Sequence, residues 1–268
     1  MLGKSEGRCL IGRGPGIRIG TAGWSVPKNV AAEFPIPGSH LERYAQVFDA
    51  VEINSSFYRP HRRSTYERWA GSVPEAFRFA VKVPKSITHE NRLRSTEEHL
   101  SRFLSEVSGL GGKLGPFLVQ LPPTLSFEMG VADGFLKDMR DRVGGEIVVE
   151  PRHKSWFTPE VEALLEELGI ARVAADPSPA PGADRPGGWG GLTYFRLHGS
   201  PRIYYSSYDD ATIHAVMARL DQRAADAGKC WCIFDNTAVF AATANALTAK
   251  AIVEERRRSD PAPAGGTG

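Results

Sequence analysis

Short runs of β-branched, aromatic and aliphatic residues recur along the chain at 17–20, 50–54, 77–83, 117–121, 146–150, 171–175, 192–197 and 229–234. Most of them end at a polar residue, glycine or proline, as strands do. Between most of these runs the apolar spacing changes to a helical period, over 40–48, 64–69, 96–110, 131–143, 159–168, 211–225 and 239–253. Ser39, Thr158 and Asp210 stand where N-caps are needed, and Gly111, Gly169 and Gly228 follow the helix ends. Alternating strands and helices predict a parallel sheet, because parallel neighbours need a crossover connection. Eight repeats over 17–254 predict an α/β fold made of a single (β/α)8 TIM-type barrel, with an open doubly wound sheet as the alternative. Residues 176–191, DPSPAPGADRPGGWGG, hold four prolines and five glycines, which excludes a regular helix between the sixth and seventh strands. That loop leaves the carboxyl end of a strand and is a candidate lid. Residues 1–16 read as a flexible N-terminal segment and 255–268 as a disordered C-terminal tail.

A barrel strand is covered on both faces, so both faces should be apolar. One parity here is not. Glu52 and Asn54 alternate with Ile53, Lys82 stands between Val81 and Val83, and Gln120 stands between Val119 and Leu121. The pattern continues with Val148, Glu150 and Arg152, with Ala174 and Asp176, and with Tyr194, Arg196 and His198. Period two puts each set on one face of its strand. Charges between strand and helix are costly, whereas the carboxyl end of a barrel interior opens on solvent and can pair them. The reading is one charged pocket at that end. Its rival is an ion-pair network that closes the barrel without chemistry.

The 33 basic and 31 acidic residues leave a net charge of +2, and three of the arginines, Arg256, Arg257 and Arg258, fall in the expected tail. A broadly basic nucleic-acid face is therefore not indicated. Cys9, Cys230 and Cys232 are an odd number. The last two would lie on one face of a strand, about 7 Å apart, too far for an unstrained bridge. Buried thiols, a reducing cytoplasm and no membrane-spanning run are the resulting expectations.

Aligned in order, the segments IGTAGWS from Ile19, VEINSSFYR from Val51, FAVKVPKSITH from Phe79, VQLPP from Val119, VEPRHKSW from Val149, VAAD from Val173, YFRLHG from Tyr194 and IFDNT from Ile233 resemble the domain-of-unknown-function 72, or YecE-like, family. The resemblance implies a TIM-type barrel and no established reaction. The chain departs from the family pattern at Asp235, where a second asparagine is common before Asn236. It departs again at Pro151, where a larger apolar residue is typical.

Lys82, Arg152 and Arg196 are suited to an anion, and Lys82 either holds a fixed charge or attacks a carbonyl as a Schiff base. Glu150 and His198 are the expected proton-transfer pair, with Asp176 or Glu52 orienting them. The substrate-binding set is Arg152, Arg196, Glu52, Asn54, Tyr58, His89, Gln120, Trp24, Trp156 and Asn236; Trp24, Tyr58 and Trp156 offer flat walls for a base or sugar. The preferred reading is a hydrolase or lyase that needs no cofactor and takes a small anionic, phosphorylated sugar or nucleotide substrate. Two alternatives remain. Glu52, Glu150, Asp176 and His198 are ligand types for a divalent-metal hydrolase, although no metal-binding spacing supports one. A non-catalytic protein that holds a nucleotide or nucleic-acid end is the other.

Overall fold

The computed structural model describes residues 16–259. Within them the strands are β1 (Ile17–Thr21), β2 (Ala50–Ile53), β3 (Arg78–Lys82), β4 (Leu114–Gln120), β5 (Ile147–Glu150), β6 (Ala171–Arg172), β7 (Ala174–Asp176), β8 (Gly187–Gly188), β9 (Thr193–Leu197) and β10 (Cys230–Phe234). The helices are α1 (His40–Val47), α2 (Ser55–Tyr58), α3 (Arg63–Gly71), α4 (Glu97–Val107), α5 (Met129–Arg142), α6 (Pro159–Glu167), α7 (Asp210–Ala227) and α8 (Ala241–Ser259). Every expected strand position holds a strand. No helix lies between β7 and β9, where proline and glycine crowd the chain.

Start signals explain several helix boundaries. Ser39 accepts from the Glu42 amide while Glu42 accepts from the Ser39 amide, a reciprocal cap on α1. Thr158 caps α6 through the Val161 amide. The cap of α7 is Asp209, which accepts from the Thr212 amide, and not Asp210, which already lies in the helix. Gly228 ends α7 with φ at +89°, a conformation that costs glycine nothing. The final helix runs to Ser259, past the boundary expected at residue 254. The remaining terminal residues, and Cys9, lie outside the described residues.

The strands form two sheets, β1-β10-β9-β7 and β2-β3-β4-β5-β6-β8, parallel throughout except for the β6–β8 pair. The single closed sheet expected from the repeat is thus observed as two. They meet at two seams. At one, an isolated parallel bridge joins Ala22 to Glu52, and the Gly23 amide donates to the Glu52 carbonyl at 2.9 Å. At the other, the chain passes from β6 in one sheet to β7 in the other around Val173.

Gly20 lets the first seam close. A Cβ there would sit 2.2 Å from the Ala50 carbonyl oxygen, which is backbone and cannot step aside. Gly20→Ala is expected to cost at least about 2 kcal/mol through overpacking. Urea unfolding measures it, and an unchanged midpoint would show that the strands can part freely.

Two apolar clusters result. The larger lies between strands and helices and contains Ile19, Val51, Val81, Val119, Val149 and Leu197. The smaller contains Ala50, Ala80, Leu118, Val148, Ala171, Val173, Tyr194, Trp231 and Ile233, contributed by both sheets. Tyr194 and Trp231 stack within it, 5.9 Å apart at 13°. The charged residues stand next after this smaller cluster along each strand, toward the carboxyl ends.

Candidate active site

Arg196 on β9 is fully buried and is the hub. Its Nε donates to Glu52 Oε2 at 3.0 Å and its Nη2 to Glu52 Oε1 at 2.6 Å. Its Nη1 donates to Glu150 Oε2 at 2.6 Å and its Nη2 also to Asp235 Oδ2 at 3.0 Å. Three carboxylates from three strand ends therefore converge on one guanidinium, whose planar fork suits two-point bonding. Tyr194 donates to Glu52 Oε2 at 2.9 Å, Gln120 to Glu150 Oε2 at 3.0 Å, and Asn54 to Asp235 Oδ1 at 3.2 Å.

His198 bridges the cluster. Its Nε2 lies 2.8 Å from Glu150 Oε1 and its Nδ1 lies 3.0 Å from Asp235 Oδ2. Arg152 Nη2 also lies 3.2 Å from His198 Nε2, so a carboxylate and a guanidinium meet at that ring nitrogen. Arg152 donates to Glu150 Oε1 at 3.0 Å, while its Nε is buried with no hydrogen-bond partner. Asn54 Oδ1 is likewise buried and unpartnered.

Electrostatics follow from this packing. Burial opposes ionisation of Glu150, but Arg196, Arg152 and His198 outweigh it and hold the carboxyl well below the usual range. Burial also opposes ionisation of Asp235, and Arg196 and His198 bring it down. Arg196 loses hydration, yet Glu52, Glu150 and Asp235 raise its pKa well above the ordinary value.

Lys82 differs. Its side chain is buried, and Nζ sits 4.2 Å from the centre of the Phe57 ring. Among the described residues it makes no ion pair or hydrogen bond through Nζ. Burial, reinforced by Arg196, lowers its pKa to about 8 despite the pull of Asp235, Glu52 and Glu150. His89 meets the same Phe57 ring edge-on at 4.9 Å and shares a 2.8 Å hydrogen bond with Thr88 Oγ1.

The structure thus brings together Glu52, Asn54, Lys82, Gln120, Glu150, Arg152, Arg196 and His198, with His89 at their edge. Other expected site residues lie apart. Asp176 is not in the cluster: Ala171 and Val173 face inward, Ala174 faces the outer core, and Asp176 accepts from the Tyr208 hydroxyl at 2.7 Å. The inward parity of this strand is therefore opposite to the one expected. Trp156 is 1% exposed, donates to the Leu125 carbonyl at 3.0 Å and packs on Phe127, so its ring belongs to the core beside a separate cleft. Asn236 ties the loop before α7 to α8, donating to the Ser206 carbonyl and to Asn245. Trp24 packs edge-on against Trp69 at 5.0 Å. Tyr58 is exposed and touches Phe57, at the margin of the site.

One residue of the cluster was missed. Asp235 follows Trp231 and Ile233 at period two, and both of those face inward, so alternation along β10 would have found it. Tyr204 lies edge-on to His198 at 5.9 Å, with backbone φ at +69°. A bulky residue in that conformation stores strain of the kind found at functional sites. Glu52, Glu150 and Asp235 are engaged with Arg196, and among the described residues no group of three or more His, Cys, Asp or Glu side chains is arranged to hold a metal ion. A separate cleft of about 350 Å³, including open solvent, is lined by Arg92, Leu93, Arg94, Glu128 and Trp156 among others and touches none of the clustered charges.

Fold and site define a class: an α/β protein with parallel sheets and a buried, multiply bonded ionic cluster at the carboxyl ends of its strands. The family described as "Protein of unknown function DUF72" matches residues 18–266, and the chain belongs to it. The UPF0759 protein YecE of Escherichia coli (strain K12) is 33% identical over 171 residues, 61% of this chain and 60% of that protein. The UPF0759 protein YunF of Bacillus subtilis (strain 168) is 28% identical over 53% of each chain. The chain thus spans about three-fifths or less of the length of these relatives. A solved DUF72 family protein from Enterococcus faecalis V583 shares the fold with a TM-score of 0.77 at 24% identity, covering 89% of this chain and 95% of that one. A second, from Thermotoga maritima MSB8, gives 0.73 at 23%, covering 89% and 99%. No helix among the described residues is long and apolar enough to cross a membrane.

Proposed function

We propose that the two sheets act as one (β/α)8 barrel and that its carboxyl end is an enzyme site, of hydrolase or lyase type, for a small anionic substrate in the cytoplasm. The interior cluster drawn from both sheets and the salt bridges that cross between them support the barrel. One observation carries the function. Glu52, Glu150 and Asp235 are held by Arg196 and Arg152, which leaves the Lys82 ammonium buried with no ion pair of its own among the described residues. A buried cation without a direct partner calls for an anion. Lys82 and the free Arg152 Nε hold it. His198 and Glu150, 2.8 Å apart, pass a proton, and Asp235 fixes the ring through Nδ1.

The mouth supports a substrate with a flat or apolar part. Tyr58, at the end of α2, and Tyr204, Tyr205 and Phe240 are all exposed on segments that follow strand ends, and such faces suit a sugar or base. Phosphate, glycerol phosphate, sugar phosphates and nucleotides form the test panel for thermal shift. Millimolar phosphate is expected to raise the Tm of the parent and leave Lys82→Met unmoved. Equal shifts in both would remove Lys82 as the anion site. His198→Ala is then expected to retain binding and lose turnover of whichever phosphorylated compound reacts.

A further inference from the structure

Resting on that reading, we infer that Lys82 is a nucleophile that forms an imine with its substrate, so that the anionic substrate is an aldehyde or ketone. The argument begins with what surrounds Nζ. Arg152 and Arg196 are bonded to carboxylates, and a lysine serving only to balance charge would be bonded likewise. Lys82 instead rests on the Phe57 ring, in a buried setting where a neutral amine is at home. Its lowered pKa, about 8, agrees.

The chemistry also conserves charge at this position. The neutral amine attacks the carbonyl carbon, and the C–N bond forms as the C=O π pair moves to oxygen, which takes a proton. The amine gives up a proton to a neighbouring base. Loss of the hydroxyl, with a returning proton, releases water and leaves a protonated imine. In sum, ammonium and carbonyl yield iminium and water. The positive charge at residue 82 is preserved, so the substrate's anionic group stays balanced throughout. His89 is placed to carry the proton: it meets the same ring as Nζ, and its own pKa is lowered by burial and then by Lys82 and Arg152, which favours the neutral base.

The test uses glyoxylate, a small anionic aldehyde, with sodium cyanoborohydride on the intact chain at neutral pH, followed by peptide mass mapping. Hydride delivered to the iminium carbon fixes the link as N-carboxymethyl-lysine. Lys82 is expected to be modified at least about tenfold faster than the exposed Lys85 and Lys137, which are held in ion pairs with Glu90 and Asp133. Phosphate is expected to slow the Lys82 reaction alone. Lys82→Arg keeps the charge and the phosphate-induced Tm rise but yields no adduct at that position. If the exposed lysines react and Lys82 does not, the imine is overturned, and the anion site stands as long as phosphate still raises the Tm. If phosphate has no effect either, both fall.

Discussion

Arg196→Met is expected to cost the fold about 3–5 kcal/mol at neutral pH and to reverse its response to acid. Arg196 is fully buried and donates to Glu52, Glu150 and Asp235, so methionine fills much of the same volume but leaves three buried carboxylates short of a cation. Glu52 suffers most, because the Tyr194 hydroxyl is then its remaining side-chain partner. Glu150 retains Arg152, Gln120 and His198, and Asp235 retains His198 and Asn54. The sign of the pH effect follows from linkage. In the parent, Glu150 and Asp235 have folded-state pKa values below their unfolded ones, so the stability they give is present above the unfolded value and is lost as pH falls through the folded one. Without Arg196 the dominant effect on both is burial, which raises them. An acid whose folded pKa exceeds its unfolded pKa destabilises the fold once ionised. The variant should therefore lose stability as pH rises from about 4 to 6, where the parent holds or gains it. Urea unfolding across that range measures both slopes. A variant as stable as the parent at neutral pH would mean that the cluster contributes no net interaction.

Much of this cluster was legible from alternation alone. Glu52, Lys82, Gln120, Glu150, Arg196 and His198 share the parity of inward-facing Ala50, Ala80, Leu118, Val148 and Tyr194, and a charge on a strand covered on both faces has few places to go. Alternation failed where the strand gave it nothing to count. Between Ala171 and Asp176 small side chains occupy both parities, and both charges, Arg172 and Asp176, fall on the same one. Arg172 faces outward and pairs with Glu162 at 2.5 Å, which leaves Val173 inward and Asp176 outside. The loop residues failed for a different reason. Trp156 and Asn236 are fixed by contacts with Leu125, Phe127, Ser206 and Asn245, which no period in their own segments encodes. The split into two sheets was also hidden, because it depends on how β1 approaches β2 and on the break at Val173, and not on which residues form strands.

The second large effect has the opposite sign: Lys82→Met is expected to stabilise the protein by up to about 3 kcal/mol at pH 7. The folded-state pKa of Lys82 is about 8 against an ordinary 10.5, a lowering caused first by burial and then by Arg196, with the attractions of Asp235, Glu52 and Glu150 already set against them. Each unit corresponds to about 1.4 kcal/mol, and a side chain only 6% exposed needs no discount for solvent screening. For a base whose folded pKa is depressed, the unfolded chain keeps its proton between the two values and the folded chain does not. The parent should therefore gain stability as pH rises from about 8 to 10.5, and it carries the full penalty below 8. Methionine has a similar length, brings no charge and makes a favourable sulfur contact with Phe57, so the variant should lose that slope along with the penalty. Chemical denaturation at a series of pH values compares the two curves: the gap should be widest near neutrality and close toward pH 10. A variant less stable than the parent at pH 7, with the same alkaline slope, would show that the ammonium is well paired after all. A buried cation that weakens the fold has no structural reason to be there, and its destabilisation is the physical argument that Lys82 serves the substrate and not the scaffold.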